Sequence, residues 1–187
     1  RNYSLSALCD GKEYRISVKR EAGGKVSNYL HDQLQVGDTL QLFPPAGDFT
    51  LAASAKPLVL ISGGVGITPT LAMLQAALHT GRQVHFIHCA RNGAVHAFRD
   101  WIDGLAARHP QLKRFYCYAE ADGGAADAVG VLSEDLLAEW LPRERDVDAY
   151  FLGPKGFMAA VKRQLKGLGV PEQQSRYEFF GPAAALE

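Results

Sequence analysis

Between Pro57 and Pro69 the chain reads Pro-Leu-Val-Leu-Ile-Ser-Gly-Gly-Val-Gly-Ile-Thr-Pro, and this stretch limits the fold more than any other. Pro57 to Ile61 is a continuous apolar run, the composition of a parallel strand covered on both faces. Gly63, Gly64 and Gly66 follow, and the helical spacing Ile67, Leu71, Leu74, Leu78 starts at once. Strand, glycine turn and helix make one unit of an open α/β sheet. Glycines let the backbone approach a pyrophosphate, and the unspent N–H groups at a helix start favour an anion. Pro69 suits a first helical turn. It also stands where the dinucleotide fingerprint has its third glycine, so a plain strand–helix turn is the alternative reading.

The same alternation continues. Val84 to Cys89, Phe115 to Tyr118 and Ala149 to Leu152 read as buried strands. Phe98 to Arg108, a helix capped by Ser133 and ending at Trp140, and Pro154 to Leu168 read as the helices between and after them. Glu134 and Asp135 suit the dipole of the Ser133-capped helix. Ala121 to Gly130 reads as a Gly/Ala loop, and Arg176 to Phe180 as a last strand. Such alternation predicts a doubly wound parallel sheet. Gly153-Pro154-Lys155-Gly156 follows a strand directly, so it belongs on the same carboxyl edge as the first glycine loop.

Residues 1 to 53 have a different texture. Tyr14, Ile16 and Val18 alternate with polar residues, as in a half-buried strand, and Thr39 to Phe43 alternates likewise. Between them, Val26 to Leu34 has helical spacing after the pair Gly23-Gly24. The change of texture puts a domain boundary near Ser54-Ala55-Lys56-Pro57, with one domain at 1–53 and a second at 54–183. Residues 184–187 read as an appended tail.

The formal net charge is +0, which gives no electrostatic case for nucleic acid or an anionic membrane as partner. Cys9, Cys89 and Cys117 form no CxxC pair, so no zinc ribbon or ferredoxin-type cluster is expected. Sparse, odd cysteines read as reduced, buried thiols of a cytoplasmic protein. No apolar run reaches the roughly 20 residues of a membrane span, and no signal peptide is visible. The histidines show no HExxH spacing, so no metal site is expected. His85 and His88, three apart on a strand, face opposite sides. His96 reads as a capping or surface residue.

Five motifs stand in order: Arg1-Asn2-Tyr3-Ser4, Gly24-Lys25-Val26-Ser27, Gly64 to Pro69, Gly153 to Met158, and Tyr177-Glu178-Phe179-Phe180-Gly181-Pro182. The set resembles the ferredoxin-reductase-like flavoenzymes over essentially the whole chain. Cys89-Ala90-Arg91-Asn92 with Val95-His96-Ala97, and the terminal Tyr-Glu-Phe-Phe-Gly-Pro, look like the flavohaemoglobin branch. The resemblance implies an antiparallel flavin-binding β-barrel, here incomplete at its upstream side, followed by the doubly wound NAD(P)-binding domain.

It also implies roles. Arg1 pairs with the FAD pyrophosphate, Asn2 belongs to the same cofactor-binding motif, Tyr3 stacks on the flavin ring, and Ser4 hydrogen-bonds near flavin N5. Gly24, Val26 and Ser27 form a second pyrophosphate contact. Gly64, Val65, Gly66, Ile67, Thr68 and Pro69 hold the nicotinamide dinucleotide. Phe179, Phe180, Gly181 and Pro182 border the flavin, and Glu178 tunes its potential between flavin and haem. Tyr3, Ser4 and Glu178 are the candidate catalytic residues. The family often has Cys where Leu152 stands. Glu120, after a strand, favours NADH, with NADPH as second candidate because of Arg91.

The activity so implied is electron transfer from NADH through FAD to a globin haem joined in cis. In the intact protein this would support conversion of NO to nitrate. The haem belongs to a domain this sequence does not contain. The rival readings are a reductase serving an oxygenase or a free flavin, and a nucleotide-binding module without turnover.

Overall fold

The computed structural model describes residues 1–121 and 126–180. Six strands, β1 (Leu58–Gly63), β2 (Val84–Ala90), β3 (Leu112–Tyr118), β4 (Ala128–Val129), β5 (Asp148–Leu152) and β6 (Ser175–Tyr177), form one sheet. Its order is β4-β3-β2-β1-β5-β6, and every pairing is parallel. Chain order therefore reverses at β1, whose neighbours are β2 and β5. That switch point is where open α/β sheets bind ligands.

Side chains along each strand alternate between two cores. Leu58, Leu60, Phe86, Tyr116 and Tyr150 pack beneath α2 (Ile67–His79) and α3 (Arg99–Arg108). Val59, Ile61, Ile87, Ala149 and Phe151 pack beneath α4 (Glu134–Trp140) and α5 (Lys155–Gly167). The sheet is thus doubly wound, as the fully buried central strands β1 and β5 require. Ser133 caps α4, its hydroxyl accepting from the Leu136 N–H at 3.2 Å. The structure departs from the sequence pattern at two places. The expected Gly/Ala loop, of which residues 122–125 lie outside the described residues, contains β4, which pairs at Cys117–Ala128 and Tyr118–Val129. The last strand stops at Tyr177, because β5 offers pairing only from Ala149 to Phe151.

In residues 1–53 the helix forms as α1 (Lys25–Asp32), but the two expected strands do not. Tyr14 to Val18 contributes only one antiparallel bridge, Leu5 to Ile16, and Thr39 to Phe43 forms no ladder. A strand is a cooperative product of its neighbours, and no second ladder among the described residues supplies them. Tyr14, Ile16, Leu42 and Phe43 are consequently exposed.

A strap joins this region to the sheet. Tyr150 donates its hydroxyl to the Thr50 carbonyl (3.0 Å) and accepts the Ala52 N–H (2.8 Å). Arg82 donates Nε to the Lys56 carbonyl and Nη2 to Asp148, both at 2.5 Å. Arg176 reaches the other Asp148 oxygen at 2.9 Å. Residues 50–56 are thus tied to the amino ends of β2 and β5. No helix among the described residues is long and apolar enough to cross a membrane.

Candidate functional site

The two glycine loops meet at the switch point. Gly66 packs so closely on the turn after β5 that a Cβ there would overlap the Leu152 carbonyl. Gly153 lies against Gly63, with Phe157 of α5 filling the corner between them. Gly64 takes φ +55°, a conformation L side chains rarely adopt, and faces open space. Gly156, in the first turn of α5, also faces open space. Gly64, in the turn that leads into α2, and Gly156, in the first turn of α5, therefore present bare backbone at the carboxyl edge. First-turn N–H groups lack intrahelical partners, so this cradle fits the phosphates of a dinucleotide.

The loop residues divide by exposure. Gly64 is exposed and Val65 half-buried, while Gly66, Ile67, Thr68 and Pro69 are buried. Thr68 donates its hydroxyl to the Val65 carbonyl at 3.2 Å. Ile67 joins the core beneath α2. These side chains shape the loop from within, and the backbone left exposed is at Gly64. Because the Gly66 contact is with backbone, Gly66→Ala is expected to cost about 1–3 kcal/mol of stability by overpacking. Chemical denaturation checks this, and an unchanged midpoint would contradict the close-packed loop.

Beside the cradle, β2 and β3 end at Arg91-Asn92 and Ala119-Glu120. The Glu120 N–H bonds the Arg91 carbonyl (2.9 Å), and its carboxylate accepts from Asn92 Nδ2 (3.0 Å). Glu120 is thus held at the edge, with Arg91 exposed next to it.

Beneath that edge sits a polar cluster that the sequence did not reveal. His96 is buried, not a cap or surface residue: its Nδ1 bonds the Tyr118 hydroxyl at 2.7 Å. Its ring lies on His88, centroids 4.4 Å apart. His88 Nδ1 bonds the Ser62 hydroxyl at 2.8 Å. Burial, then the neighbouring His96, push His88 down to about 3. Burial, with Arg99 and Arg114 nearby, pushes His96 down to about 4, against Asp103. On the opposite face His85 bonds the Trp140 carbonyl at 2.6 Å, as the three-residue spacing required. The only available signal for His96 was its place two residues before an aromatic helix start, which is too weak to assign it.

The residues read as flavin-binding stand on three segments. Arg1 and Asn2 are exposed; Tyr3 and Ser4 are half-buried and lead into the Leu5–Ile16 bridge. Gly24 precedes α1, and a Cβ there would meet the Ser27 hydroxyl at 2.6 Å. That hydroxyl accepts the Glu21 N–H (3.2 Å) and donates to the Gly24 carbonyl (3.3 Å), so Ser27 is engaged in shaping the turn. Val26 is exposed. At the other end, Tyr177 packs on Phe151 and Phe179, while Phe180 is exposed. Glu178 is half-buried, and burial raises its carboxyl above the usual range. Among the described residues Tyr3 makes no ring contact with Phe179 or Phe180. Gly181 and Pro182 lie outside the described residues.

The switch-point cradle and its acidic flank define a nucleotide-binding α/β module of the kind used by pyridine-nucleotide oxidoreductases. The family model of the oxidoreductase NAD-binding domain matches residues 60–163, and that of the oxidoreductase FAD-binding domain matches residues 1–51. The chain is 94% identical to the flavohemoprotein of Pseudomonas putida, matching over its whole length but spanning only 48% of that protein. It also resembles the Flavohem-like FAD/NAD-binding domain of nitric oxide dioxygenase from Vibrio cholerae. That likeness has 38% identity and a TM-score of 0.89, covering 97% of this chain and 77% of that one. A flavohemoglobin from Malassezia yamatoensis, solved with bound FAD and heme, is 26% identical with a TM-score of 0.82, covering 96% of this chain and 46% of that one. The chain belongs to the oxidoreductase NAD-binding domain family, in the branch formed by the FAD/NAD-binding reductase parts of the flavohemoproteins.

Proposed function

We propose that this module draws electrons from NADH and delivers them through FAD to a globin haem carried in cis by the longer protein, where they support conversion of NO to nitrate. The observation that carries the reading is the joint between the β1 and β5 loops at Gly66 and Leu152, with open backbone at Gly64 and Gly156. Open backbone at the switch point of a parallel sheet supports a phosphate-bearing dinucleotide there. The name and length of the relatives support the globin partner, since this chain spans about half of the flavohemoproteins it matches.

In this reading residues 1–53 form the flavin side and residues 54–183 the nucleotide side. Arg1 neutralises the FAD pyrophosphate with Asn2 beside it, Tyr3 lies against the flavin ring, and Ser4 offers a hydroxyl near N5. Gly24, Val26 and Ser27 supply backbone at a helix start, where anions are favoured. Gly64 to Pro69 hold the nicotinamide dinucleotide. Phe179, Phe180, Gly181 and Pro182 cover the far side of the flavin and exclude water. Glu178, a carboxyl whose charge is discouraged by burial, lies between flavin and haem and tunes the potential. FAD, when bound, supplies the conversion of a two-electron donor into single electrons for the haem. Glu120 favours NADH, because a fixed carboxylate accepts ribose hydroxyls and repels a 2′-phosphate. The reading places the module in the cytoplasm, where sparse cysteines stay reduced and NADH is supplied.

The test mixes the FAD-loaded chain anaerobically with a ferric globin and follows the haem Soret band after NADH or NADPH. Prompt haem reduction is expected, at least tenfold faster with NADH. Reduction of free flavin or a ferredoxin, but not of the globin, would move the module to another acceptor. Binding of NADH without reduction of any acceptor would leave a nucleotide-binding module only.

A further inference from the structure

Cys89 and Cys117 are direct partners in the parallel register of β2 and β3. Directly opposed residues on neighbouring strands point to the same face. Cys117 belongs to the core beneath α4 and α5, and Cys89 packs against that same core. Both thiols are free, and each shifts the ionisation of the other. Cys117 also donates weakly to the Gly130 carbonyl at 3.5 Å. Cys89 is the half-buried member, at the end of β2 opposite Gly63, where the sheet opens toward the nucleotide cradle. Among the described residues no third His, Cys, Asp or Glu completes a metal-binding group around the two sulfurs.

We propose that Cys89 and Cys117 are a modification site: a dithiol that a peroxide oxidises to a reversible intramolecular disulfide across β2 and β3.

Strand spacing of about 4.8 Å sets the Cα separation of such a pair. That value lies within the roughly 4.4–6.8 Å window for a disulfide. Parallel side chains keep the Cβ atoms about as far apart, slightly beyond the usual ~3.5–4.5 Å, so the bond forms under mild strain. Strained disulfides are readily reduced, which suits a reversible modification and not a permanent staple.

The chemistry balances. The Cys89 thiol donates toward Cys117, and that hydrogen bond holds the Cys117 thiol below its ordinary value, while the donor role and burial raise Cys89. One thiol of the pair ionises, and its thiolate attacks one oxygen of hydrogen peroxide, which enters from the half-buried Cys89 side, breaking the O–O bond; the hydroxide released takes up a proton to become water. The sulfenic acid so formed is attacked by the other sulfur. The S–O bond breaks, the S–S bond forms, and the proton of that second thiol leaves with the hydroxyl as a second water. Two thiols are oxidised and one peroxide is reduced, with no further reductant or oxidant.

The test uses the 187-residue chain with the exposed Cys9 replaced, Cys9→Ser, so that only the pair can react. The folded protein is treated with hydrogen peroxide, and thiols are counted under denaturing conditions with and without later dithiothreitol. The expected result is loss of both thiols, a mass decrease of two hydrogens, and a Cys89–Cys117 linked peptide, all reversed by dithiothreitol. Under the same treatment Cys9→Ser/Cys89→Ser is expected to lose its single thiol only to sulfenic or higher oxygen adducts. Two unreacted thiols in the Cys9→Ser protein, or oxygen adducts without a linked peptide, would overturn the proposal. So would a linked peptide that appears only after the protein is unfolded.

Discussion

Asp148→Ala is expected to lower the unfolding free energy by roughly 3–5 kcal/mol, the usual cost of removing one member of a buried ion pair. Asp148 and Arg82 are both almost wholly buried, and Arg176 reaches the second carboxylate oxygen from the sheet edge. Burial pushes the Asp148 carboxyl up. Hydrogen bonds from Arg176 and Ser54, together with both guanidinium charges, outweigh that and leave it below its ordinary value. Removing the carboxylate would leave the Arg82 charge in the interior with only the Lys56 and Ala52 carbonyls. The loss arises from that stranded charge, so Asp148→Leu combined with Arg82→Met is expected to recover most of it. Urea denaturation of the three proteins at pH 7 decides the matter. A single variant within 1 kcal/mol of the parent would show that the strap of residues 50–56 does not depend on this pair.

The second large effect is with pH. His88 at about 3 and His96 at about 4 titrate well below an unfolded histidine near 6.5. The unfolded chain therefore binds protons that the folded chain refuses, and stability must fall as pH drops below about 6.5. Each histidine contributes the full slope down to pH 5, so each removes about 2 kcal/mol over that window, or about 4 kcal/mol for the pair. Asp148 acts in a different window. Its lowered folded value means that its stabilisation is lost only below about pH 4. Denaturation midpoints at pH 7.5 and 5.0 are expected to differ strongly in the parent and markedly less in His88→Gln/His96→Gln, where only the buried His85, also lowered by burial, still resists protonation. An equal acid loss in the double variant would assign the effect elsewhere.

Much of the sheet is legible because its information is local. The apolar run from Leu58 to Ile61, the glycines after it and the stripe Leu71, Leu74, Leu78 specify β1, the turn and α2 without reference to distant residues. The same holds for the β5–α5 unit. What is not legible is set by partners far along the chain. Asp148 reads as an ordinary polar residue before an apolar strand; its importance comes from Arg82, 66 positions earlier. β4 is two residues long and exists only because the end of β3 is available. Tyr14 to Val18 carries a strand pattern yet forms one bridge, since pattern without a ladder is insufficient. At the site, the glycines were legible because close approach demands them. The buried state of Ile67, Thr68 and Pro69 was not, because a motif gives positions without directions.

Visible absorbance of the purified chain with FAD, before and after anaerobic NADH, tests the reductase function most directly. A protein-bound flavin spectrum that bleaches on addition of NADH is expected. A bound flavin that stays oxidised while calorimetry shows NADH occupying the protein would contradict it, for the two cofactor regions would then not cooperate as a reductase.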